Sequence, residues 1–246
     1  MTTEVRRRRA LPVNPAVIAL AASAVLAAAA VTFAVHQLRG SAAPAAIRPS
    51  GIPASVPTST ADLMGLSSLP GQAAPNFSLV DQHGVRLSPA SFRGHPLVLE
   101  FMDPHCTDIC PIVSQEFIKA YKNLGPAGTQ ITFLAINVNP FHTTVADVLG
   151  FSHEQGLDTI PGWHFVTGSV PSLKAVWSEY GIAVDAPNAQ ADVIHSSEIF
   201  FIDSNGVERY SAAPMVDHTA SGSSYLPAPQ ITEWGQGIAE VVQNLS

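Results

Sequence analysis

Phe101-Met102-Asp103-Pro104-His105-Cys106-Thr107-Asp108-Ile109-Cys110-Pro111 is the stretch on which the reading of this chain turns. It follows an apolar run at 96–102, Pro-Leu-Val-Leu-Glu-Phe-Met, and leads into 111–124, where Ile112, Phe117, Ile118 and Tyr121 have helical spacing. The run reads as a buried strand, and 111–124 as a helix that stops near Gly125-Pro126. Both cysteines of the chain lie between the two. Open α/β sheets place their sites at the carboxyl ends of strands. Pro111 suits the first turn of a helix, where its missing N–H costs nothing. A helix N-terminus favours the thiolate form of nearby cysteines. Spacing of i, i+4 can bring two thiols to one side of a turn, to form a disulfide or to grip one ion together. A purely structural disulfide would close a loop of only a few residues and gain little chain entropy. Functional use is the stronger reading.

Working outward, strand-like and helix-like patterns alternate. Residues 76–80 and 85–87 flank Asp81-Gln82-His83-Gly84, a hairpin turn. A second buried strand is expected at 131–138, a helix at 143–155, a strand at 163–167, and a helix at 172–180 stopped by Gly181. Residues 193–202 and 207–212 flank Asp203-Ser204-Asn205-Gly206, whose Asn-Gly pair is a hairpin signal. A closing helix is expected at 231–245. This order gives an α/β domain at 76–246 whose central sheet mixes parallel and antiparallel strands, with flanking helices. No repeat, P-loop or dinucleotide fingerprint is present.

The chain has 246 residues, 46% hydrophobic and 13% charged, with a net charge of -7. Two cysteines exclude a multi-disulfide scaffold and a four-cysteine metal site. The charge is uneven. Residues 1–40 hold Arg6, Arg7, Arg8, Arg9 and Arg39 against Glu4, whereas the rest is strongly acidic. An acidic body is a poor binder of phosphate backbones, so no nucleic-acid partner is expected. Residues 16–35 form an uncharged apolar run long enough to cross a bilayer, which needs about 20 residues. The expectation is a basic cytoplasmic segment at 1–15, a single transmembrane anchor at 16–36 and an extracytoplasmic remainder, by the positive-inside rule. A cleaved signal peptide is the rival, but its apolar region is usually shorter, about 7–15 residues. Residues 37–75, rich in Ala, Ser and Pro, read as an extended spacer, with a wrap over the domain plausible only for 66–69.

Two thiolates leave a metal under-coordinated, and the second informative stretch is Val193-Ile194-His195-Ser196-Ser197-Glu198-Ile199-Phe200-Phe201-Ile202-Asp203. A lone His such as His195 is more often structural than a ligand. Taken together, however, the strand-end Cys-x-x-x-Cys-Pro and a Val-x-His-Ser stretch entering Phe-Ile-Asp-x-x-Gly resemble the Sco/SenC family of thioredoxin-fold copper proteins. Pro75-Asn76-Phe77-Ser78-Leu79, Trp163-His164-Phe165-Val166-Thr167-Gly168 and Tyr180-Gly181 extend the likeness over about 74–245. Asp103-Pro104-His105 and Asn139-Pro140-Phe141-His142 depart from the family's pattern.

The resemblance implies a thioredoxin-like fold behind a membrane anchor. It makes Cys106, Cys110 and His195 the copper ligands, a soft-leaning set suited to Cu(I) and also able to take Cu(II). It implies delivery of copper to the CuA site of cytochrome c oxidase or to another copper protein, or reduction of that site's cysteines, with a thiol reductant as a second partner. Cys106 and Cys110 would also be a redox-active pair, resting as a disulfide in an oxidising compartment. The alternative is a thiol–disulfide oxidoreductase, which needs no His195. A thiol peroxidase built on Thr107 and Cys110 lacks an activating arginine. His105 is a possible fourth ligand, although a solvent-facing loop histidine is the plainer reading. Met215 and His218, in the loop at 212–229, are auxiliary candidates against a surface loop. Met102 is expected to pack in its strand, Asp103 and Asp108 to be solvated loop acids, and Trp163, Trp177 and Trp234 to be core.

Overall fold

A computed structural model describes residues 48–245. The basic segment at 1–15, the anchor at 16–36 and the spacer up to residue 47 lie outside the described residues. Among those described, no helix is long and apolar enough to cross a membrane.

The elements in chain order are α1 (Thr58–Leu63), β1 (Ser67–Ser68), β2 (Leu79–Val80), β3 (Arg86–Leu87), β4 (Leu97–Met102), α2 (Ile109–Leu124), β5 (Thr132–Asn137), α3 (Val145–Glu154), β6 (Trp163–Val166), α4 (Val170–Glu179), β7 (Val184–Asp185), β8 (Ile194–His195), β9 (Ile199–Ile202), β10 (Glu208–Ala212), β11 (Asp217–His218), β12 (Ser224–Tyr225) and α5 (Ala228–Val242). Six strands make one sheet in the order β1-β10-β9-β4-β5-β6. β4, β5 and β6 run parallel, whereas β9, β10 and β1 join antiparallel. The α/β architecture with a mixed sheet and flanking helices is the one the alternation of patterns predicted.

β4 and β5 are buried along their whole length because helices or loops cover both faces, so their sequences read as continuous apolar runs. Successive side chains point to opposite faces. Val98 and Met102 of β4 join the core shared with α1, α2, α3 and α5. Leu97, Leu99 and Phe101 join the core capped by α4, with Trp177 and Tyr180. Gly235 lets α5 approach α2 closely, since a Cβ there would lie 2.4 Å from the Lys119 Cβ. The Asp203–Gly206 turn closes as expected. Gly206 adopts φ 71°, and Asp203 Oδ1 accepts from the Asn205 and Val207 amides.

Two expectations need correction. The spacer reading fails for 48–65, while the wrap over the domain allowed at 66–69 is present. Ile52, Val56, Ala61, Met64 and Leu66 are buried against the core, Thr60 Oγ1 donates to Glu240 Oε2 at 2.7 Å, and β1 adds to the sheet edge beside β10. Composition hid five well-spaced apolar anchors among the small residues and prolines. The expected strand at 193–202 is in fact two. β8 pairs with β7 outside the main sheet, and β9 enters the sheet after a break at Ser196–Glu198. The break is held by hydrogen bonds of its own. The Ser196 amide donates to the Ala183 carbonyl (3.0 Å), and Ser196 Oγ accepts from the Ala183 amide (3.2 Å).

Candidate metal centre

The parallel pairing of β4 with β5 brings two strand ends together, and the Val138 amide donates to the Met102 carbonyl at 3.0 Å just beyond them. The 103–110 loop and the 138–144 loop therefore emerge side by side. Buried amide side chains fix both. Asp103 Oδ1 accepts from the His105 amide (2.8 Å) and from Asn139 Nδ2 (2.9 Å). Asn139 Oδ1 accepts from the amides of Phe141 and His142, and Asn137 Nδ2 donates to the His142 carbonyl (2.7 Å) and to Thr167 Oγ1 (3.0 Å). Asp103 is thus a buried structural acid, only 6% exposed, and not the solvated loop residue its polarity suggested. A polar group this deep must be bonded or it costs stability, and Asp103 is bonded. Asp108 is exposed, as expected.

Past this network the chain turns, the Cys106 amide donating to the Asp103 carbonyl at 3.1 Å, and α2 begins. The helix starts at Ile109, so Cys110 and Pro111 both fall in its first turn. The Cys106 sulfur accepts from the amides of Asp108 (3.5 Å) and Cys110 (3.4 Å). Both thiols are free, Cys106 half-buried and Cys110 buried. A hydrogen bond from the Cys110 thiol, with the amide bonds from Cys110 and Asp108, lowers the Cys106 pKa to about 7 against the opposing effect of burial. The same thiol bond, together with burial, pushes Cys110 well above its ordinary value. One sulfur is poised as a thiolate and the other is its proton-bearing neighbour, the arrangement of a reactive cysteine pair.

His195 stands on β8 across an open cleft of about 610 Å³. Cys106, Asp108, Ile109, His195, His218 and Ser224 are among its lining. His195 Nδ1 lies 2.9 Å from the Ser196 carbonyl, a contact that places the ring proton on Nδ1 and leaves Nε2 as the free donor atom. Burial holds the imidazole pKa below its ordinary value, which keeps the ring neutral and able to ligate. His195 therefore faces the same space as Cys106. Among the described residues, though, the trio of His, Cys, Asp or Glu whose donor atoms lie within 4.8 Å of one another is a different one, His105, His142 and Asp147. The donor atoms of Cys106, Cys110 and His195 do not all lie within that distance of one another.

The other candidates separate cleanly. Met102 is fully buried in its strand, and Trp163, Trp177 and Trp234 are core. Met215 is 57% exposed and does not line the cleft, whereas His218 does. His105 faces solvent in part, with its Nε2 3.5 Å from Asp147 Oδ1. Two carboxyls were missed. Glu100 on β4 and Glu116 on α2 are 1% and 0% exposed, on the α2 side of the sheet. Glu100 Oε1 accepts from Ser197 Oγ at 3.0 Å, while Glu100 Oε2 and both Glu116 oxygens have no hydrogen-bond partner. Burial raises Glu100 to about 8 and Glu116 to about 9, so both are neutral at pH 7. The available signal was a glutamate at a core position of an otherwise apolar strand.

The sequence model of the SCO1/SenC family matches residues 67–220. The bovine (Bos taurus) mitochondrial protein SCO2 homolog is 30% identical over 146 residues, a match spanning 56% of this chain and 53% of the relative. This chain thus covers only about half the length of that relative. The structure of Bradyrhizobium japonicum ScoI with copper bound superposes with TM-score 0.55 at 19% identity, over 71% of this chain and all of that one. A structure of BsSco, described as having a disulfide switch and as a member of the Sco family of cytochrome c oxidase assembly proteins, gives TM-score 0.51 at 18% identity, over 69% and 95% of the two chains. At such identities the structural likeness is one of fold.

Proposed function

The chain belongs to the SCO1/SenC family, and from that premise we propose that it binds copper through Cys106, Cys110 and His195 and serves in cytochrome c oxidase assembly. The observation that carries this reading is a cleft lined by both Cys106, with Cys110 buried beside it, and a neutral imidazole, His195, whose Nε2 is free. Two sulfurs and one nitrogen suit Cu(I), the soft ion, and three donors leave it open to exchange with an acceptor. The ion is cargo, delivered to the CuA site of the oxidase or to another copper protein. The apolar segment at 16–36 would hold the domain at the outer face of the membrane, with residues 1–15 inside and 37–47 as the remaining spacer.

The test is an anaerobic Cu(I) titration of the full chain against a chromophoric chelator. One tightly held equivalent is expected. Absence of that equivalent removes the copper reading, and undiminished affinity in His195→Ala removes the ligand assignment.

A second reading rests on the lowered pKa of Cys106. A Cys106 thiolate can attack a partner disulfide, forming a mixed disulfide and releasing one partner thiolate. Cys110, once deprotonated, then attacks the Cys106 sulfur and releases the second thiolate. The partner gains two electrons and the chain is left with a Cys106–Cys110 disulfide. This chemistry prepares the cysteines of a copper site for metallation, and it survives loss of His195.

A further inference from the structure

The 138–144 loop and the start of α3 bring a second set of donors against His105, which lines the cleft. His105 and His142 stack with ring centroids 3.6 Å apart. His105 Nε2 lies 3.5 Å and His142 Nδ1 3.9 Å from the same oxygen, Asp147 Oδ1. The other carboxylate oxygen is already committed. Asp147 Oδ2 accepts from the Thr144 amide (2.9 Å) and from Thr144 Oγ1 (2.7 Å), in the capping box that starts α3. The cap thus fixes the carboxylate with its free oxygen turned toward both rings. The backbones beneath the rings are fixed as well, His105 through Asp103 and His142 through Asn137 and Asn139. Asn139 bonds Asp103 directly, so the two histidines are held in register by one buried network.

We propose that His105, His142 and Asp147 form a second cation site, chemically distinct from the thiol site, that takes a borderline divalent ion and Cu(II) above the others. Two imidazole nitrogens and a carboxylate oxygen suit Cu(II), Ni(II) and Zn(II), and at such a donor set Cu(II) binds most tightly. Ligands about 2.0–2.2 Å from such an ion sit roughly 3–3.5 Å from one another. The spacings of 3.5 and 3.9 Å need only a small closure, which the half-exposed His105 ring can supply. Three protein donors leave positions open to water and to exchange. Neutral imidazoles are the ligating form. Sequence spacing gave no hint of the set, because His105 lies on one loop and His142 and Asp147 follow the next strand. The nitrogen–oxygen set beside Cys106 favours Cu(II), whereas the thiol pair favours Cu(I).

The test needs no Cu(I), so its failure is separable from failure of the thiol site. The full chain carrying Cys106→Ser, Cys110→Ser and His195→Ala is titrated with Cu(II) and followed by electron paramagnetic resonance. One equivalent with splittings from two nitrogens is expected, and His142→Ala or Asp147→Asn added to that background should weaken it at least tenfold. In case the triple variant fails to fold, the native chain oxidised at Cys106 and Cys110 is titrated with Zn(II) by calorimetry, with and without His142→Ala. No stoichiometric binding overturns the site, as does binding that His142→Ala leaves unchanged, which would place the ion on another surface histidine.

Discussion

The two walls of the cleft are built by opposite means. The thiol wall grows from a fully buried strand, is pinned by Asp103, Asn137 and Asn139, and continues into a 16-residue helix packed on the core. The imidazole wall is a hairpin of two residues per strand outside the six-stranded sheet, and Ile194, next to His195, is 70% exposed. One wall is preorganised and the other is lightly held. For a carrier this asymmetry is useful. Under the proposed function, a rigid thiol pair would capture the ion and a movable His195 would let it leave without disturbing the fold. The comparison makes a quantitative demand, and removing donors is the strongest way to break it. Cys110→Ser should lower Cu(I) affinity by about a thousandfold or more, since soft thiolate donors carry Cu(I) selectivity. His195→Ala should cost less than this, since the two soft thiolates that favour Cu(I) remain. Competition titrations of both variants side by side decide the matter. Equal losses would mean that the imidazole wall is as preorganised as the thiol wall.

The walls differ again in what lies beneath them. Under the thiol wall sit Glu100 and Glu116, two buried carboxyls that the apolar layers around them cannot solvate. Their folded values, about 8 and about 9, stand above the ordinary 4.5 because burial penalises the charged form. The folded chain therefore holds protons that the unfolded chain releases. Their contribution to stability is full below the ordinary carboxylate value and is lost as pH rises through 8 and 9. Within that window each group lowers stability by about 1.4 kcal/mol per pH unit. Urea unfolding should thus show a higher midpoint at pH 5 than at pH 8. Glu116→Leu should flatten the pH slope and stabilise the chain at pH 8, by roughly 1–4 kcal/mol if the apolar side chain packs well. A chain as stable at pH 8 as at pH 5 would show that these carboxyls are not held neutral, and that the thiol wall rests on a less rigid base.

These differences also explain what the sequence could disclose. Cys106 and Cys110 were legible because strand, turn, helix start and Pro111 follow one another within a dozen residues. His195 was singled out only through a resemblance, since nothing local distinguishes a histidine on a two-residue strand from a structural one. Asp103 looked like a solvated acid because its partner Asn139 lies across a strand pairing that periodicity does not reveal. The trio of His105, His142 and Asp147 depends on the same pairing of β4 with β5. Residues 48–63 were misread because composition averages over Val56 and Ala61, whose burial is decided by α5 far along the chain. Glu100 carried a readable sign, a charge in a core strand, but not its bond to Ser197.

That bond, from Ser197 Oγ to Glu100 Oε1 at 3.0 Å, links the two walls and yields the smallest and most discriminating test. Ser197 lies two residues past His195, and Glu100 lies on the strand that ends at the thiol loop. Ser197→Ala removes one neutral hydrogen bond, worth about 1 kcal/mol, and leaves a second oxygen of an already raised carboxyl unbonded. If the imidazole wall is a separate, lightly held element, the cost falls on it alone. Cu(I) affinity should then drop only a few fold, less than in His195→Ala, because the ligand remains and merely loses part of its tether. Alkylation of Cys106 should keep its midpoint near pH 7, since the bonds that lower that thiol come from Cys110 and the start of the helix. A shift of the alkylation midpoint in Ser197→Ala would show that the walls are mechanically one unit. An unchanged midpoint with weakened copper binding would establish that the chain tunes release of its cargo on the histidine side while its thiol chemistry stays fixed.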